Sequence, residues 1–345
     1  MSGERAEAPL VSVVLPVRNE ARDISRCLDA ILRQDYPRDR MEILVVDGMS
    51  SDATRDVVAD YARKDSRVRL IDNPGLIVPK GLNEAIRALR GDLLVRVDGH
   101  TVIAPDYVTT GVEAIRRSGA DVVGGTMVPV GASPFGRSVA AATSTPMGVG
   151  GSALHYATDE ADAESVYMGT FRRDVFTRFG GFDERCVRNQ DDEFNYRVRE
   201  GGGRVRLVPS MRSTYFPRET PRALFRQYYQ YGYFKVLVAG LHPRMMRPRH
   251  FAPSAFVAGG TALALASVVS PAARGALAAA LGAHLVATLA LARARCRGDA
   301  RAWLLTPAAT LLIHWGYGLG FLAGCLGALA GRAPGSSRGL LGRAP

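Results

Sequence analysis

Short apolar runs alternate with amphipathic stretches along the N-terminal third of the chain. Val11–Val17 is a valine-rich run, typical of a strand that is buried on both faces. In the next stretch, apolar residues recur four, seven and eight positions after Ile24, on one face of a helix that Asn19 is predicted to cap. The same alternation predicts strands at residues 41–46, 68–71, 93–97 and 120–123, and helices at 54–64, 80–89 and 106–118. Strands that alternate with helices indicate an α/β fold with a doubly wound, mostly parallel sheet and helices on both faces.

The C-terminal part of the chain contains three long uncharged stretches, at residues 251–270, 275–292 and 302–331. A helix of roughly 20 apolar residues crosses a bilayer, and the many small residues here suit close helix packing in lipid. We therefore predict a membrane region of about three spans at 251–331 and a flexible tail at 332–345. Pro307 and His314 interrupt the third stretch, and the sequence leaves open whether it re-enters or carries the tail across.

Two further segments are neither clear strands nor clear spans. Residues 138–158 lack charge but are rich in Ser, Thr, Gly and Pro, so we predict a long, partly ordered loop near the active site. Residues 219–249 mix aromatic and basic side chains. That mixture suits an interfacial helix at the headgroup level, and ordinary packing under the sheet is an equal alternative.

Charge is distributed unevenly along the 345 residues. The net charge is +11, of which residues 251–345 carry +7 and residues 1–250 carry +4. The C-terminal arginines lie between apolar stretches rather than along a polar helix face, which indicates membrane topology and argues against a nucleic-acid partner. Four of them lie at 293–301, so the positive-inside rule places this loop and the N-terminal domain in the cytoplasm. We expect a multi-pass protein of the cell (inner) membrane.

Composition excludes several other classes of protein. A hydrophobic content of 47% is enough to bury a core, which argues against disorder. The four cysteines have no C-x-x-C spacing and are expected to be reduced thiols. The first 20 residues lack the basic region and cleavage site of a signal peptide.

Polar residues follow three of the predicted strands. They are Arg18, Asn19 and Glu20 after the first, Asp47, Ser50 and Asp52 after the second, and Asp98 and His100 after the fourth. Ligands of doubly wound sheets bind at the carboxyl ends of the strands, where these residues would meet. The sequence has neither G-x-G-x-x-G nor G-x-x-x-x-G-K-[ST], which removes the main support for dinucleotide or P-loop binding. Carboxylates at these positions suit hydroxyl recognition and a divalent cation.

Five motifs in order carry a family resemblance: VSVVLPVRNE, VVDGMSSD, KGLNEA, VRVDGH and QDDEFNYR. Together they resemble the inverting glycosyltransferases of family 2, which have the GT-A fold, over roughly residues 10–240. The segment from Tyr167 to Lys235 is similar to the succinoglycan-type glucosyltransferase subgroup. Those membrane enzymes extend a lipid-linked sugar in exopolysaccharide assembly. The resemblance implies a cytoplasmic GT-A domain at residues 1–240.

The resemblance also implies the residues of the donor site. The nucleotide sugar would contact Pro16, Arg18, Glu20, Asp47, Ser50, Asp52, Lys80, Asn83 and Asp98. Among these, Asp47 would face the uridine, while Asp52 could instead cap a helix and Lys80 could be a surface residue. Asp98-Gly99-His100 occupies the place of the family's D-x-D, so Asp98 and His100 would bind a divalent cation, Mn²⁺ or Mg²⁺. The imidazole of His100 favours Mn²⁺. The alternative for this motif is a polar turn at a strand end.

The same resemblance makes Asp191 the general base, with Asp192 as the runner-up because Gln190 replaces the family's Glu. An acidic helix start is the alternative for Asp192 and Glu193. Acceptor contacts would come from Gly169, Thr170, Gln227 and Tyr231. Gln230 and Tyr231 depart from the Q-x-x-R-W of processive members, which favours a single transfer.

The function implied is inverting transfer of a hexose, with glucose as the first candidate. The donor would be a UDP-sugar and the acceptor a polyprenyl-diphosphate-linked saccharide at the lipid bilayer. A polyprenyl-phosphate sugar synthase, which glycosylates the bare lipid phosphate, is a close alternative. A non-catalytic membrane scaffold with a nucleotide-binding fold is a more distant one.

Overall fold

The computed structural model describes residues 7–150 and 153–331, so the predicted tail at 332–345 lies outside the described residues. The described residues form two compact units. The first comprises residues 7–128 and 157–215, and the second comprises 129–150, 153–156 and 216–331.

The first unit is built on a nine-stranded sheet with the order β3-β2-β1-β4-β8-β6-β9-β5, in which β7 also pairs with β9. The strands are β1 Val11–Val17, β2 Met41–Asp47, β3 Val68–Asp72, β4 Leu93–Arg96, β5 Val102–Ile103, β6 Val122–Pro129, β7 Ala161–Asp162, β8 Tyr167–Arg172 and β9 Val205–Tyr215. Strands β1 to β4 pair in parallel, whereas β8 runs antiparallel to β4 and to β6. The α/β fold class is confirmed, and the sheet is mixed, with its parallel part formed by the first four predicted strands.

The helices of the chain are α1 Ile24–Leu32, α2 Thr54–Lys64, α3 Val78–Ala88, α4 Tyr107–Ser118, α5 Pro134–Thr143, α6 Pro146–Val149, α7 Asp174–Phe179, α8 Gln190–Glu200, α9 Pro221–Leu241, α10 Pro248–Ala266, α11 Pro271–Ala292 and α12 Ala300–Leu329. In the first unit, β1 and β2 are buried along their whole length, and the apolar face of α1 packs against the same core. The predicted cap of α1 is wrong, because Asp23 occupies the N-cap and Asn19 lies four residues upstream.

The predicted loop at 138–158 is also wrong, because α6 and most of α5 lie in this segment. Its hydroxyl groups bond within their own helical turns: Thr143 donates to the carbonyl of Val139 at 2.9 Å, and Ser144 donates to that of Ala140 at 2.8 Å. Such back-bonding satisfies polar side chains without breaking the helix. Val139 and Ala142 are therefore free to pack with apolar residues of α9 and α12.

Helices α9 and α12 of the second unit pack backbone to backbone. A Cβ atom added to Gly316, Gly320 or Gly324 of α12 would lie 2.8, 2.0 and 2.9 Å from the carbonyl oxygens of Phe225, Tyr229 and Tyr233, respectively. Both sets recur every four residues, so one stripe of glycines on α12 receives one face of α9. Small residues at this spacing allow such close approach between membrane helices.

Two helices within the described ranges, α11 and α12, are long and apolar enough to cross a membrane. The first of the three predicted spans falls mainly in α10, which has 19 residues and begins Pro-Arg-His, so its apolar part is shorter. Helix α12 runs unbroken through Pro307 and His314 for 30 residues, about 45 Å at 1.5 Å per residue. The third predicted segment therefore does not turn back on itself.

Candidate active site

The loops after β1 and β2 are fastened to each other by backbone-to-side-chain hydrogen bonds. The backbone N–H of Asn19 donates to Ser50 Oγ, and Asn19 Oδ1 accepts from the N–H of Ser51, both at 2.9 Å. Asn19 and Met49 have positive φ angles, 56° and 53°. A left-handed conformation is uncommon for methionine and is found preferentially where a site demands it. The two loops therefore form one rigid rim at the carboxyl ends of the strands.

Asp52 also links the two loops of this rim through hydrogen bonds. Its carboxylate accepts from the N–H of Thr54 at 3.0 Å and from the N–H of Ala21 at 3.2 Å. Burial opposes ionisation, but hydrogen bonds from Thr54 and Ala21 outweigh it and lower the pKa of Asp52. Both of its oxygens thus accept hydrogen bonds from the loops, whereas the N-cap position of α2 is occupied by Ala53.

Asp47, the predicted uridine contact, ends β2 and is fully buried. Its carboxylate accepts from the N–H of Ser50 at 2.9 Å and from Arg55 at 2.8 Å, and Arg55 also donates to Asp72 at 2.8 Å. Arg55 is a residue that the sequence did not single out. Its position in the first turn of α2 gives a buried carboxylate the partner it requires.

The remaining predicted donor residues lie around the same strand ends. Pro16 is buried in β1 opposite Val46, and Arg18 is exposed just beyond the strand. Lys80 lies in the first turn of α3. Asn83 is directed elsewhere, because its amide accepts from the N–H of Phe182 at 2.8 Å and donates to the carbonyl of Phe182 at 2.9 Å. Asn83 thus holds the segment that precedes α8 in place through two hydrogen bonds to the backbone of Phe182.

Asp98 follows β4 and is 17% exposed. One of its oxygens accepts from Tyr167 Oη at 2.9 Å and the other from Arg96 Nη2 at 2.9 Å. Burial alone would raise its pKa, but the charge of the Arg96 guanidinium and the hydrogen bonds from Tyr167 and Arg96 outweigh burial, so the pKa of Asp98 is lowered. His100 Nδ1 lies 3.0 Å from a carboxylate oxygen of Glu20. A predicted donor residue at the end of β1 and a predicted cation ligand after β4 are therefore in direct contact.

Asp191, the predicted general base, lies in the first turn of α8 and is brought to Asp98 by Arg96. The Arg96 guanidinium donates to both carboxylates. Asp191 is 21% exposed, which leaves its carboxylate accessible. Burial raises the pKa of Asp191 to about 6, with the negative charges of Asp98 and Asp192 adding to the rise and Arg96 opposing it. A carboxylate with a pKa near neutrality is suited to accept a proton.

The neighbouring acids of α8 differ from Asp191. Glu193 is buried and accepts two hydrogen bonds from Arg197, at 2.6 and 2.9 Å, an ion pair within α8 that the sequence did not predict. Asp192 is half-buried in the same turn and acts on Asp191 through its charge. Asn189, at the N-cap, has a φ of 61°, which turns the chain sharply into the helix.

Gly169 and Thr170, predicted to contact the acceptor, lie instead in the centre of strand β8. Thr170 pairs with Val95 and Val123 on either side and is 0% exposed. A Cβ atom on Gly169 would lie 2.8 Å from Phe171, so this glycine serves packing. The acceptor prediction is wrong for both residues, because a strand between two neighbours buries them. Gln227 and Tyr231 lie one turn apart on α9 in the second unit, where Gln227 donates to Tyr231 Oη at 3.0 Å.

Residues for a divalent cation are present but few. No group of three or more His, Cys, Asp or Glu side chains in the described part of the chain is arranged to hold a metal ion. Asp98 and His100 offer one carboxylate and one imidazole two residues apart, a donor set compatible with Mn²⁺. Such ions commonly complete their coordination with water and substrate phosphates. The residues therefore fit a cation that is bound together with a nucleotide diphosphate.

Arg96 and Tyr167 were not predicted from the sequence. A usable signal existed for Arg96, which is a charged residue within the otherwise apolar run LLVRV, because a buried charge requires partners. Tyr167 gave no such signal. It is placed by Met168, whose φ of 47° is unusual within a strand and whose carbonyl accepts from Tyr107 at 2.8 Å.

The mixed sheet and the helices around it form the GT-A fold, and comparisons with known proteins agree. The mannosyltransferase PcManGT from Pyrobaculum calidifontis, solved with GDP-Man and Mn²⁺, aligns with a TM-score of 0.60 at 23% identity, covering 89% of this chain and 88% of that one. S. aureus TarS 1-349 with UDP aligns with a TM-score of 0.51 at 16% identity, covering 89% of both chains. These structures establish the fold.

The sequence comparisons establish the family. The profile described as "Glycosyl transferase family 2" matches residues 12–179. The succinoglycan biosynthesis protein ExoA of Rhizobium meliloti (strain 1021) is 32% identical over 265 residues, covering 74% of this chain and 79% of that protein. A dolichyl N-acetyl-α-D-glucosaminyl phosphate 3-β-D-2,3-diacetamido-2,3-dideoxy-β-D-glucuronosyltransferase of Methanococcus voltae is 26% identical over 236 residues, covering 66% and 73%. The chain belongs to glycosyltransferase family 2.

Proposed function

We propose that this glycosyltransferase transfers a hexose from a UDP-sugar to a lipid-linked saccharide, with inversion and one sugar at a time. The observation that carries the proposal is the contact of Asp98 and Asp191 through Arg96. It joins a donor-side carboxylate with an accessible carboxylate of raised pKa, so a base lies beside the place where the donor is expected.

In the proposed reaction, Asp191 takes the proton of an acceptor hydroxyl as that oxygen attacks C1 of the donor sugar. The bond between C1 and the diphosphate oxygen breaks in the same displacement, and UDP leaves from the opposite face. The anomeric configuration is therefore inverted. Asp98 and His100 would hold the divalent cation, which when bound would neutralise charge on the diphosphate. Asp47, Ser50 and Asp52 keep the rim of the nucleotide site in place.

A lipid-linked acceptor is supported by the second unit and by the relatives. Helices α11 and α12 are long and apolar enough to span a bilayer, and the name of the Methanococcus voltae relative includes a dolichyl-linked sugar phosphate. The name of the Rhizobium meliloti relative refers to succinoglycan, which supports a role in exopolysaccharide biosynthesis. In this proposal the catalytic unit faces the cytoplasm, and Gln227 and Tyr231 on α9 contact the acceptor.

The test is a transfer assay with membranes that contain the full chain, UDP-sugars and lipid-linked acceptors. Replacing Asp191 with Asn should lower kcat by about 10²–10⁴-fold, the usual contribution of a general base. UDP binding, measured by calorimetry, should be retained because Asp191 is not a donor contact. Asp192→Asn is the matched control and should lower kcat far less. Unchanged transfer by Asp191→Asn would refute the assignment of the base.

The acceptor part of the proposal needs a separate comparison. Polyprenyl phosphate and a polyprenyl-diphosphate-linked saccharide are offered side by side with the same donor. We expect product only with the lipid-linked saccharide. Glycosylation of polyprenyl phosphate alone would instead identify a polyprenyl-phosphate sugar synthase.

A further inference from the structure

Arg96 is a charged side chain in the interior of the catalytic unit. It is 3% exposed, and its neighbours along the chain, Val95 and Val97, are fully buried. A charge in such a place is costly unless it is paired and hydrogen-bonded. Its partners, Asp98 and Asp191, are the two carboxylates to which the proposed reaction assigns donor binding and proton transfer.

The geometry of the guanidinium explains why arginine occupies this position. Its Nε and Nη2 atoms lie 3.1 and 2.9 Å from the same oxygen of Asp98, and its Nη1 atom donates to Asp191. A planar guanidinium offers donors in two fixed directions, which a lysine ammonium on a flexible stem cannot do. Arg96 thereby fixes the position of the first turn of α8 relative to the end of β4.

Asp98 is itself held on its other side. Tyr167 donates to its second oxygen at 2.9 Å, and Thr101 Oγ1 lies 3.3 Å from the same phenol oxygen. The position of Asp98 is therefore fixed, and the guanidinium of Arg96, which is hydrogen-bonded to Asp98, in turn fixes the position of Asp191. Without the positive charge of Arg96, the neighbouring carboxylates of Asp98 and Asp191 would repel each other.

We propose that Arg96 is a positioning residue that holds the general base Asp191 at a fixed place beside the donor site. This inference rests on the proposed function, because it assigns the proton transfer to Asp191. Arg96 acts through Asp191 and does not touch the acceptor in this scheme.

A double-mutant cycle of Arg96→Gln and Asp191→Asn tests the inference. Arg96→Gln should lower kcat by about 10²-fold, within the contribution of the base it positions, while the donor KM changes by less than about fivefold. In the Asp191→Asn background, Arg96→Gln should cause no further loss, because the group it positions is already inactive. Arg96→Lys keeps the positive charge but lacks the planar guanidinium, so its kcat should lie between those of Arg96→Gln and the unchanged enzyme.

Arg67→Gln is the matched control, since Arg67 is also largely buried and pairs with an aspartate, Asp65, at 2.7 Å. It should leave kcat and KM unchanged. If Arg96→Gln fails to fold, Arg96→Lys carries the cycle, with a smaller fall in kcat that vanishes in the Asp191→Asn background. Equal losses in both backgrounds, or an unchanged kcat, would overturn the inference. If Asp191→Asn itself retained activity, the proposed function would fail instead, so the two failures are distinguishable.

Discussion

At the scale of single residues, the reactivity of Asp191 follows from its surroundings rather than from its residue type. Burial and two neighbouring carboxylates raise its pKa to about 6, and the adjacent guanidinium limits the rise. Asp98, only two residues from the same arginine, has a lowered pKa. Two carboxylates with separated pKa values take different roles, one as a permanent anion and the other as a proton acceptor.

The raised pKa predicts the pH dependence of transfer. Below about pH 6 Asp191 is protonated and cannot accept the acceptor's proton, so kcat should rise with pH through this value and then level off. A profile of kcat against pH at saturating donor measures this rise, and Asp191→Asn should abolish the rise. A rise of kcat near pH 4, where an ordinary aspartate titrates, would contradict the account.

Thr170 provides a test of the corrected acceptor assignment. Its hydroxyl is buried and has no hydrogen-bond partner among the residues that the structure describes, so Thr170→Val removes an unsatisfied polar group from the core. We expect unchanged kcat and KM and an increase in stability of about 1 kcal/mol, measured by thermal unfolding. A loss of acceptor affinity would restore the original assignment.

The order of five motifs predicted that Asp98 and His100 follow the fourth strand, as they do, and it singled out Asp191, which lies in the first turn of α8. The contacts of Asp98 and Asp191 could not be predicted, because they depend on the directions in which the side chains of Arg96 and Tyr167 point. Met168 illustrates the reason: its positive φ turns the strand locally, and no propensity rule anticipates that conformation for methionine.

At the scale of elements, periodicity predicted the strands β1 to β4 and helix α2 within one residue at each end. It failed for α5, where serine and threonine suggested a loop. Composition alone does not reveal that these hydroxyls bond back to their own helix and leave an apolar face for α12. Periodicity also missed β8, which contains Gly169 and Thr170, two residues that the family resemblance assigned to acceptor contacts.

The contact between α9 and α12 predicts a strong position effect among glycines. In Gly320→Leu the new side chain would meet the carbonyl of Tyr229, since even a Cβ would lie 2.0 Å from it. Overpacking of this kind costs about 1–3 kcal/mol, so the melting temperature in detergent should fall. Gly282→Leu on α11 is the matched control, because within the described part of the chain a Cβ there has no neighbour closer than 4 Å. Equal melting temperatures for the two variants would contradict close packing of α9 on α12.

At the scale of the whole molecule, the chain contains two kinds of unit, and the boundary after Tyr215 lies upstream of residue 250, where the sequence analysis divided the charge. The first unit contains the carboxylates of the site, and the helical unit contains the apolar faces, with residues such as Val286 of α11 and Leu326 of α12 largely exposed. Exposed apolar side chains on long helices are expected where lipid surrounds them. The sequence predicted this contrast, but it did not predict that residues 129–150 and 153–156 belong with the C-terminal helices.

The stereochemistry of the product tests the central claim most directly. The full chain in membranes is incubated with an α-configured UDP-sugar and a lipid-linked saccharide, and the anomeric configuration of the new linkage is determined by NMR. A single displacement assisted by Asp191 predicts a β-linkage, and Asp191→Asn should form little of it. An α-linkage, or β-product formed equally well by Asp191→Asn, would contradict the account.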